Sequence, residues 1–231
     1  MHPEPSPSAS HRAPAVHRQT GQWRVWAFGV TGLCLLGFMA LAAKVHRLPY
    51  PLHVDMLALW LVSVRPFGFA VVPVHAARIF QQLGTATAFA FLVGSLVLGA
   101  ALVRDRVGVL LALVGPPVAV VLTEAVGKPG VARPEGYMAA NAFPSGHVTA
   151  MAAIAATVAL LAYRRWGPRG LASVAPVAAL LPLVMTVVVT RLHSHDFTDG
   201  LGGIAVGVGT IAAVAVLLSA AFERRSSTQF R

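Results

Sequence analysis

His195 and Asp199 stand four residues apart, a spacing that lets two side chains face each other at the start of a helix. A carboxylate so placed fixes the tautomer of an imidazole and stabilises the cation that forms when the far ring nitrogen attacks an electrophile. Alone, the same spacing also suits an ordinary hydrogen bond at a membrane interface. His193 is a rival nucleophile two residues earlier, but it has no carboxylate four residues on. Upstream, Pro144-Ser145-Gly146-His147 opens an apolar stretch. Ser145 is a good N-cap, Gly146 lets a ligand approach the backbone, and N–H groups at a helix start point at an anion. A plain capped helix start is the competing reading, although His147 would be an unusual filler there. Lys128, Arg133 and Arg191 bring three cations to the same stretches. A phosphoryl group in flight spreads negative charge over its equatorial oxygens, which arginine forks hold in pairs and a lysine meets as a point charge.

The elements that must position these groups are membrane helices. The chain has 231 residues, 56% hydrophobic and 11% charged, with a mean hydropathy of +0.71, too apolar for an ordinary soluble domain. Apolar runs at about 23 to 43, 84 to 103, 107 to 126, 146 to 163, 170 to 190 and 200 to 221 are each near the roughly 20 residues that cross a bilayer. The expected fold is all-α, with six transmembrane helices. Arg104 and Arg106, then Arg164, Arg165 and Arg169, then Arg224, Arg225 and Arg231 fall on one side with Arg12, Arg18 and Arg24. The positive-inside rule makes that side cytoplasmic, with both termini inside and the polar segments 127 to 145 and 191 to 199 outside. A bacterial-type plasma membrane is the expected location.

Residues 48 to 83 are apolar enough to tempt a further span. Arg65 and Pro66 oppose it, and an extra crossing would reverse every later loop. Two short helices on the outer surface are expected instead, forming either a lid or packing filler. Residues 1 to 22 read as a disordered cytoplasmic tail, 23 to 222 as the membrane domain and 223 to 231 as a basic tail. The net charge of +10 sits in clusters beside apolar runs, which argues against nucleic acid as a partner. Cys34 has no partner for an internal disulfide. Gly203 and Gly207, with Gly200, Gly202 and Gly209 nearby, mark close helix packing in the last span.

Taken in order, these motifs resemble the type 2 phosphatidic acid phosphatase (PAP2) superfamily, whose usual signature is Lys-x6-Arg-Pro, Pro-Ser-Gly-His and Ser-Arg-x5-His-x3-Asp. The resemblance covers residues 84 to 221 as architecture and 128 to 199 as motif. It implies that His195 becomes phosphorylated, that Asp199 supports it, and that His147 protonates the leaving oxygen. It also implies that Lys128, Arg133 and Arg191 bind phosphoryl oxygens, with Ser145 and Gly146 adding hydrogen bonds, and that no metal or other cofactor is required. Two spacings are each shorter by two residues: four residues separate Lys128 from Arg133, and three separate Arg191 from His195. Thr190 replaces the serine.

The function expected from this resemblance is hydrolysis of a lipid phosphate or a polyprenyl or lipid diphosphate, with the bilayer as the other partner. Two further readings stay open. His147, His193, His195, Asp196 and Asp199 include good ligands for a divalent metal, as in a metal-dependent hydrolase. A non-catalytic protein that binds or transports anionic lipids would also keep a phosphate pocket. The motifs do not read the leaving group, the acceptor or the oligomeric state.

Overall fold

The computed structural model describes residues 14–48, 50–63, 72–135 and 138–228. Their helices are α1 (Pro14–Val45), α2 (His53–Ser63), α3 (Val74–Gln81), α4 (Ala86–Leu102), α5 (Arg106–Val121), α6 (Lys128–Val131), α7 (Gly146–Arg191) and α8 (Phe197–Thr228). Beside them lies a short antiparallel ladder of β1 (Pro134–Glu135) and β2 (Met138–Asn141), which pairs Pro134 with Asn141 and Glu135 with Met138. The ladder is a small departure from the expected all-α chain. Among the described residues, four helices are long and apolar enough to cross a membrane, or five if α3 and α4, bent by 57°, count as one. The protein is an integral membrane protein.

The 46 residues of α7 cannot form one straight rod. At about 1.5 Å per residue such a rod would run about 70 Å, more than twice the hydrocarbon thickness of about 30 Å. Gly167 breaks it, with φ 65° and ψ −152°, a backbone region that glycine adopts and other residues rarely do. Contacts show that the two halves fold back on each other. A Cβ at Gly203 of α8 would meet the Ser145 carbonyl at 2.7 Å, while one at Gly200 would run into Thr186. Both ends of α7 therefore flank the start of α8. Val148, Met151 and Ile154 from the first half share a buried cluster with Met185, Val188 and Val189 from the second.

The close packing expected of the last span is present. A Cβ at Gly207 would lie 2.7 Å from the Ala152 Cβ, and one at Gly202 would lie 2.5 Å from the Phe143 ring. Small residues let these backbones approach where lipid supplies no hydrophobic force between helices. At the end of the bundle away from the candidate site, Arg164 bonds Asp105 through Nε (3.0 Å) and Nη2 (2.8 Å). The Arg164 hydrogen bond, set against partial burial, holds the Asp105 carboxyl below the usual carboxylate range. Asp105 also caps α5 by accepting from the Gly108 N–H at 2.9 Å. Arg24 and Glu223 join α1 to α8 by an ion pair at 2.5 Å.

Helix α1 begins at Pro14, nine residues before the apolar span that starts at Trp23. Proline suits a first helical turn, and a long apolar helix propagates into polar flanks once nucleated. In segment 48 to 83, α2 is a separate short helix, whereas α3 leads through a 3₁₀ turn at Gln82–Gly84 into α4. Arg65 and Pro66 lie outside the described residues.

Candidate active site

The site is assembled where α7 and α8 begin. The Ser145 N–H donates to the Asp199 carbonyl at 3.0 Å, a backbone bond between the two separated motifs. Ser145 occupies the N-cap with extended backbone, but its side chain makes no capping bond, and its buried Oγ has no hydrogen-bond partner. Thr149, one turn on, accepts from the Thr123 hydroxyl at 3.0 Å and donates to the Ser145 carbonyl at 2.9 Å. These bonds fix the start of α7 against α5. The His147 ring packs on the backbone of Gly84, where an added Cβ would lie 2.5 Å from His147 Cδ2. His147 also interacts electrostatically with His195, Lys128 and Glu124.

His195 sits in the tight turn that joins α7 to α8. The N–H groups of Ser194 and His195 both reach the Val189 carbonyl, at 3.1 and 3.4 Å, folding the chain back at the end of α7. Gln81 Nε2 donates to Ser194 Oγ at 3.4 Å, so the α3–α4 corner backs both histidines. His195 Nδ1 faces Asp199 Oδ2 at 3.7 Å. That is longer than a hydrogen bond, and Nδ1 is buried without another partner. Pairs of this kind often tighten only when substrate arrives.

Shortening between Lys128 and Arg133 does not stop Lys128 reaching the site. Helix α5 widens into a π-helical turn at Leu122–Gly127, a feature frequent at functional sites. Helix α6 is then a single turn that ends at Ala132, with φ 51°. Lys128 Nζ pairs with Glu124 Oε2 at 2.8 Å and would lie 4.0 Å from a Cβ at Gly146. Glu124 itself approaches Gly146 so closely that any side chain there would strike it.

Arg133 turns the other way, toward a group of carboxylates. Its guanidinium is 1% exposed. Nη1 donates to Asp199 Oδ1 at 2.6 Å and to Thr198 Oγ1 at 2.9 Å. Nη2 donates to Asp196 Oδ2 at 2.7 Å and to Asp55 Oδ2 at 3.2 Å. Three carboxylates thus engage the arginine expected to meet phosphoryl oxygens. Burial opposes its charge, but Asp199, Asp196 and Asp55 outweigh that and raise its pKa above the ordinary value.

Asp196 carries the cost of this crowding. Burial, with Asp199 and Asp55 adding repulsion, raises its pKa to about 6 although Arg133 pulls the other way. An unfolded aspartate titrates near about 3.9. Between those values the folded chain binds the extra proton, so stability falls as pH rises from about 4 to about 6 and levels off above. Asp196→Asn removes that ionisation while keeping an acceptor for Arg133. Thermal unfolding in detergent from pH 4 to 7.5 should show the variant gaining on the parent between pH 4 and 6, then running parallel to it. A constant difference across the range would contradict this assignment.

Arg191 and His193 are not in the cluster around Arg133. Arg191 Nε donates to the Val72 carbonyl at 3.2 Å. With His193, Met56, Leu59, Trp60 and Ser63 it lines an open cavity of about 460 Å³. His193 takes φ 55° in the turn, a left-handed conformation, and is exposed. Among the described residues, no group of three or more His, Cys, Asp or Glu side chains is arranged to hold a metal.

Sequence reasoning missed Asp55 and Glu124. Both left a signal, since ionisable groups inside apolar runs are costly and by default functional. Asp55 is the one acidic residue between Glu4 and Asp105, and Glu124 lies four residues before Lys128.

Comparison with known proteins bears on the fold and the family. The chain is similar in structure to a transmembrane PAP2 type phosphatidylglycerolphosphate phosphatase from Bacillus subtilis. The TM-score is 0.64 and the identity 19%, over 84% of this chain and 96% of that one. No curated protein matches the chain at a significant level. Residues 84–223 match the sequence model of the PAP2 superfamily, and that span holds all three motifs and most of the membrane helices. With its two histidine-bearing helix starts joined through Ser145 and Asp199, the chain belongs to the PAP2 superfamily.

Proposed function

We infer that this protein is a metal-independent phosphatase that hydrolyses a lipid phosphate, or a polyprenyl or lipid diphosphate, at the outer face of the membrane through a phosphohistidine. The single observation that carries the reading is the Ser145 to Asp199 backbone bond. It joins the two motifs that carry His147 and His195, and the His147 ring interacts electrostatically with His195 and Lys128. The chemistry of the solved relative, a phosphatidylglycerolphosphate phosphatase, points the same way.

Nδ1 of His195 faces Asp199, which leaves Nε2 as the attacking nitrogen. Nε2 forms a bond to phosphorus as the bond from phosphorus to the leaving oxygen breaks. His147 gives its proton to that oxygen. Asp199 stabilises the imidazolium character that develops on His195. Water then attacks phosphorus as the bond from phosphorus to Nε2 breaks, His147 takes a proton from the water, and inorganic phosphate leaves. Lys128, Arg191, the unpartnered Ser145 hydroxyl and the backbone at Gly146 bind the phosphoryl oxygens. A buried hydroxyl without a partner is costly, which favours one held ready for a ligand. Arg133 orients Asp199 in place of binding phosphate.

Six crossings fit this arrangement, with α7 supplying two on either side of Gly167. Both termini are then cytoplasmic and the site is extracytoplasmic. The basic residues around Arg104, Arg164 and Arg224 lie inside. A substrate with apolar tails reaches the site sideways from the outer leaflet, its tails staying in lipid.

Purified protein in lipid nanodiscs, offered lipid phosphates, lipid diphosphates and soluble phosphate esters, tests the reading. Phosphate release from at least one lipid substrate is expected, unaffected by a chelator, with an acid-labile label on histidine during turnover. Loss of turnover on chelation would replace this account with a metal-dependent hydrolase. Binding of lipid phosphates without release would replace it with a lipid-binding protein.

A further inference from the structure

Helix α2 lies outside the stretch that matches the superfamily, yet it sends one carboxylate into the centre of the site. Asp55 is 2% exposed. Its Oδ1 accepts from the Thr198 N–H at 2.8 Å. Its Oδ2 accepts from the Thr198 hydroxyl at 3.1 Å, from Arg133 Nη2 at 3.2 Å and from the Leu52 N–H at 2.9 Å. The first N–H groups of a helix have no partner inside it. Asp55 therefore caps α8 from another helix while it also caps the start of its own.

We propose that Asp55 is a positioning residue for the nucleophile pair, and that α2 is a brace setting the first turn of α8 instead of a lid or packing filler. Thr198 immediately precedes Asp199, so holding both its N–H and its hydroxyl fixes the peptide that carries the supporting carboxylate. Arg133 transmits a second constraint. Nη2 lies between Asp55 and Asp196 while Nη1 engages Asp199, so the guanidinium plane, and with it Asp199 Oδ1, is set from the α2 side. Freed from Asp55, the fork can swing within its plane and draw Asp199 away from His195, already 3.7 Å distant. The placement suits this role because Met56, Leu57, Trp60 and Leu61 of the same helix are exposed apolar residues, which the bilayer can hold while Asp55 faces inward.

The test uses the full chain in nanodiscs with the lipid phosphate it turns over best, so the turnover arm rests on the phosphatase reading. Asp55→Asn keeps an acceptor for the Thr198 N–H but loses the charge opposite Arg133; Asp55→Ala loses both. We expect kcat to fall about 10-fold in the Asn variant and about 100-fold in the Ala variant, as misplacement of a reacting group demands. KM should stay within about 3-fold, because the phosphoryl ligands are untouched. Amide exchange at residues 198 to 200 should accelerate in Asp55→Ala while the interior of α7 around Met151 stays protected. That arm needs no turnover and stands even if the phosphatase reading fails. Wild-type kcat in the Asn variant would overturn the proposal. So would a change confined to KM, or an exchange increase spread evenly through α7. If the Ala variant does not fold, kcat and exchange in the Asn variant decide.

Discussion

Under the proposed phosphohistidine mechanism, His195→Ala should lower kcat by about 10⁴-fold on every phosphorylated substrate the parent turns over, and should remove the histidine label altogether. The size follows from the role, since deleting a covalent nucleophile removes the pathway and leaves only binding and electrostatic stabilisation. His193→Ala, two residues away, should stay within about 3-fold of the parent, because it has no carboxylate four residues on. His193 is exposed and takes a left-handed conformation in the turn. His195 instead turns Nδ1 toward Asp199 and shares an electrostatic environment with His147. Single-turnover measurement of phosphate release with a labelled lipid substrate separates the two variants. If His193→Ala lost the label and His195→Ala kept it, the nucleophile would have to be reassigned.

Arg133→Gln should cost the fold before it costs the chemistry. The substitution leaves Asp55 and Asp199, each 1% exposed, and the half-exposed Asp196 without their shared cation. Removing one partner of a buried ion pair typically costs about 3 to 5 kcal/mol, chiefly because the charge left behind is uncompensated. Poor recovery in detergent and a large drop in unfolding temperature are the expected results. Arg133→Lys keeps the charge but not the fork, so it cannot serve Asp199 through one nitrogen and Asp55 through another. It should fold with reduced thermal stability and reduced kcat. A phosphate ligand would behave otherwise, with Arg133→Lys retaining full stability and raising KM. Unfolding temperature and the kcat and KM of the lysine variant, measured together, distinguish the two roles.

These experiments fall on opposite sides of what local sequence encodes. The spacing of His195 and Asp199 is local information, because four residues near a helix start can bring two side chains to one face. The Pro-Ser-Gly-His start of α7, the apolar runs and the break near Gly167 are local in the same sense. Each follows from backbone preference, periodicity and the length of hydrocarbon to be crossed. The membrane class and four or five of the membrane helices were therefore legible from residue order, and so was the superfamily signature.

Only the tertiary structure decided where the buried charges find their partners. Asp55 and Thr198 are 143 residues apart, and Arg133 meets Asp199 across 66. No periodicity links such positions, and their pairing exists only once α2, the segment after α6 and the start of α8 are packed together. An isolated arginine near a phosphate motif reads as a phosphate ligand. In the folded chain three carboxylates lie within its hydrogen-bonding reach, because in a low-dielectric interior the nearest opposite charges dominate. Sequence fixes which ionisable groups must be buried or paired, whereas packing chooses the pairs.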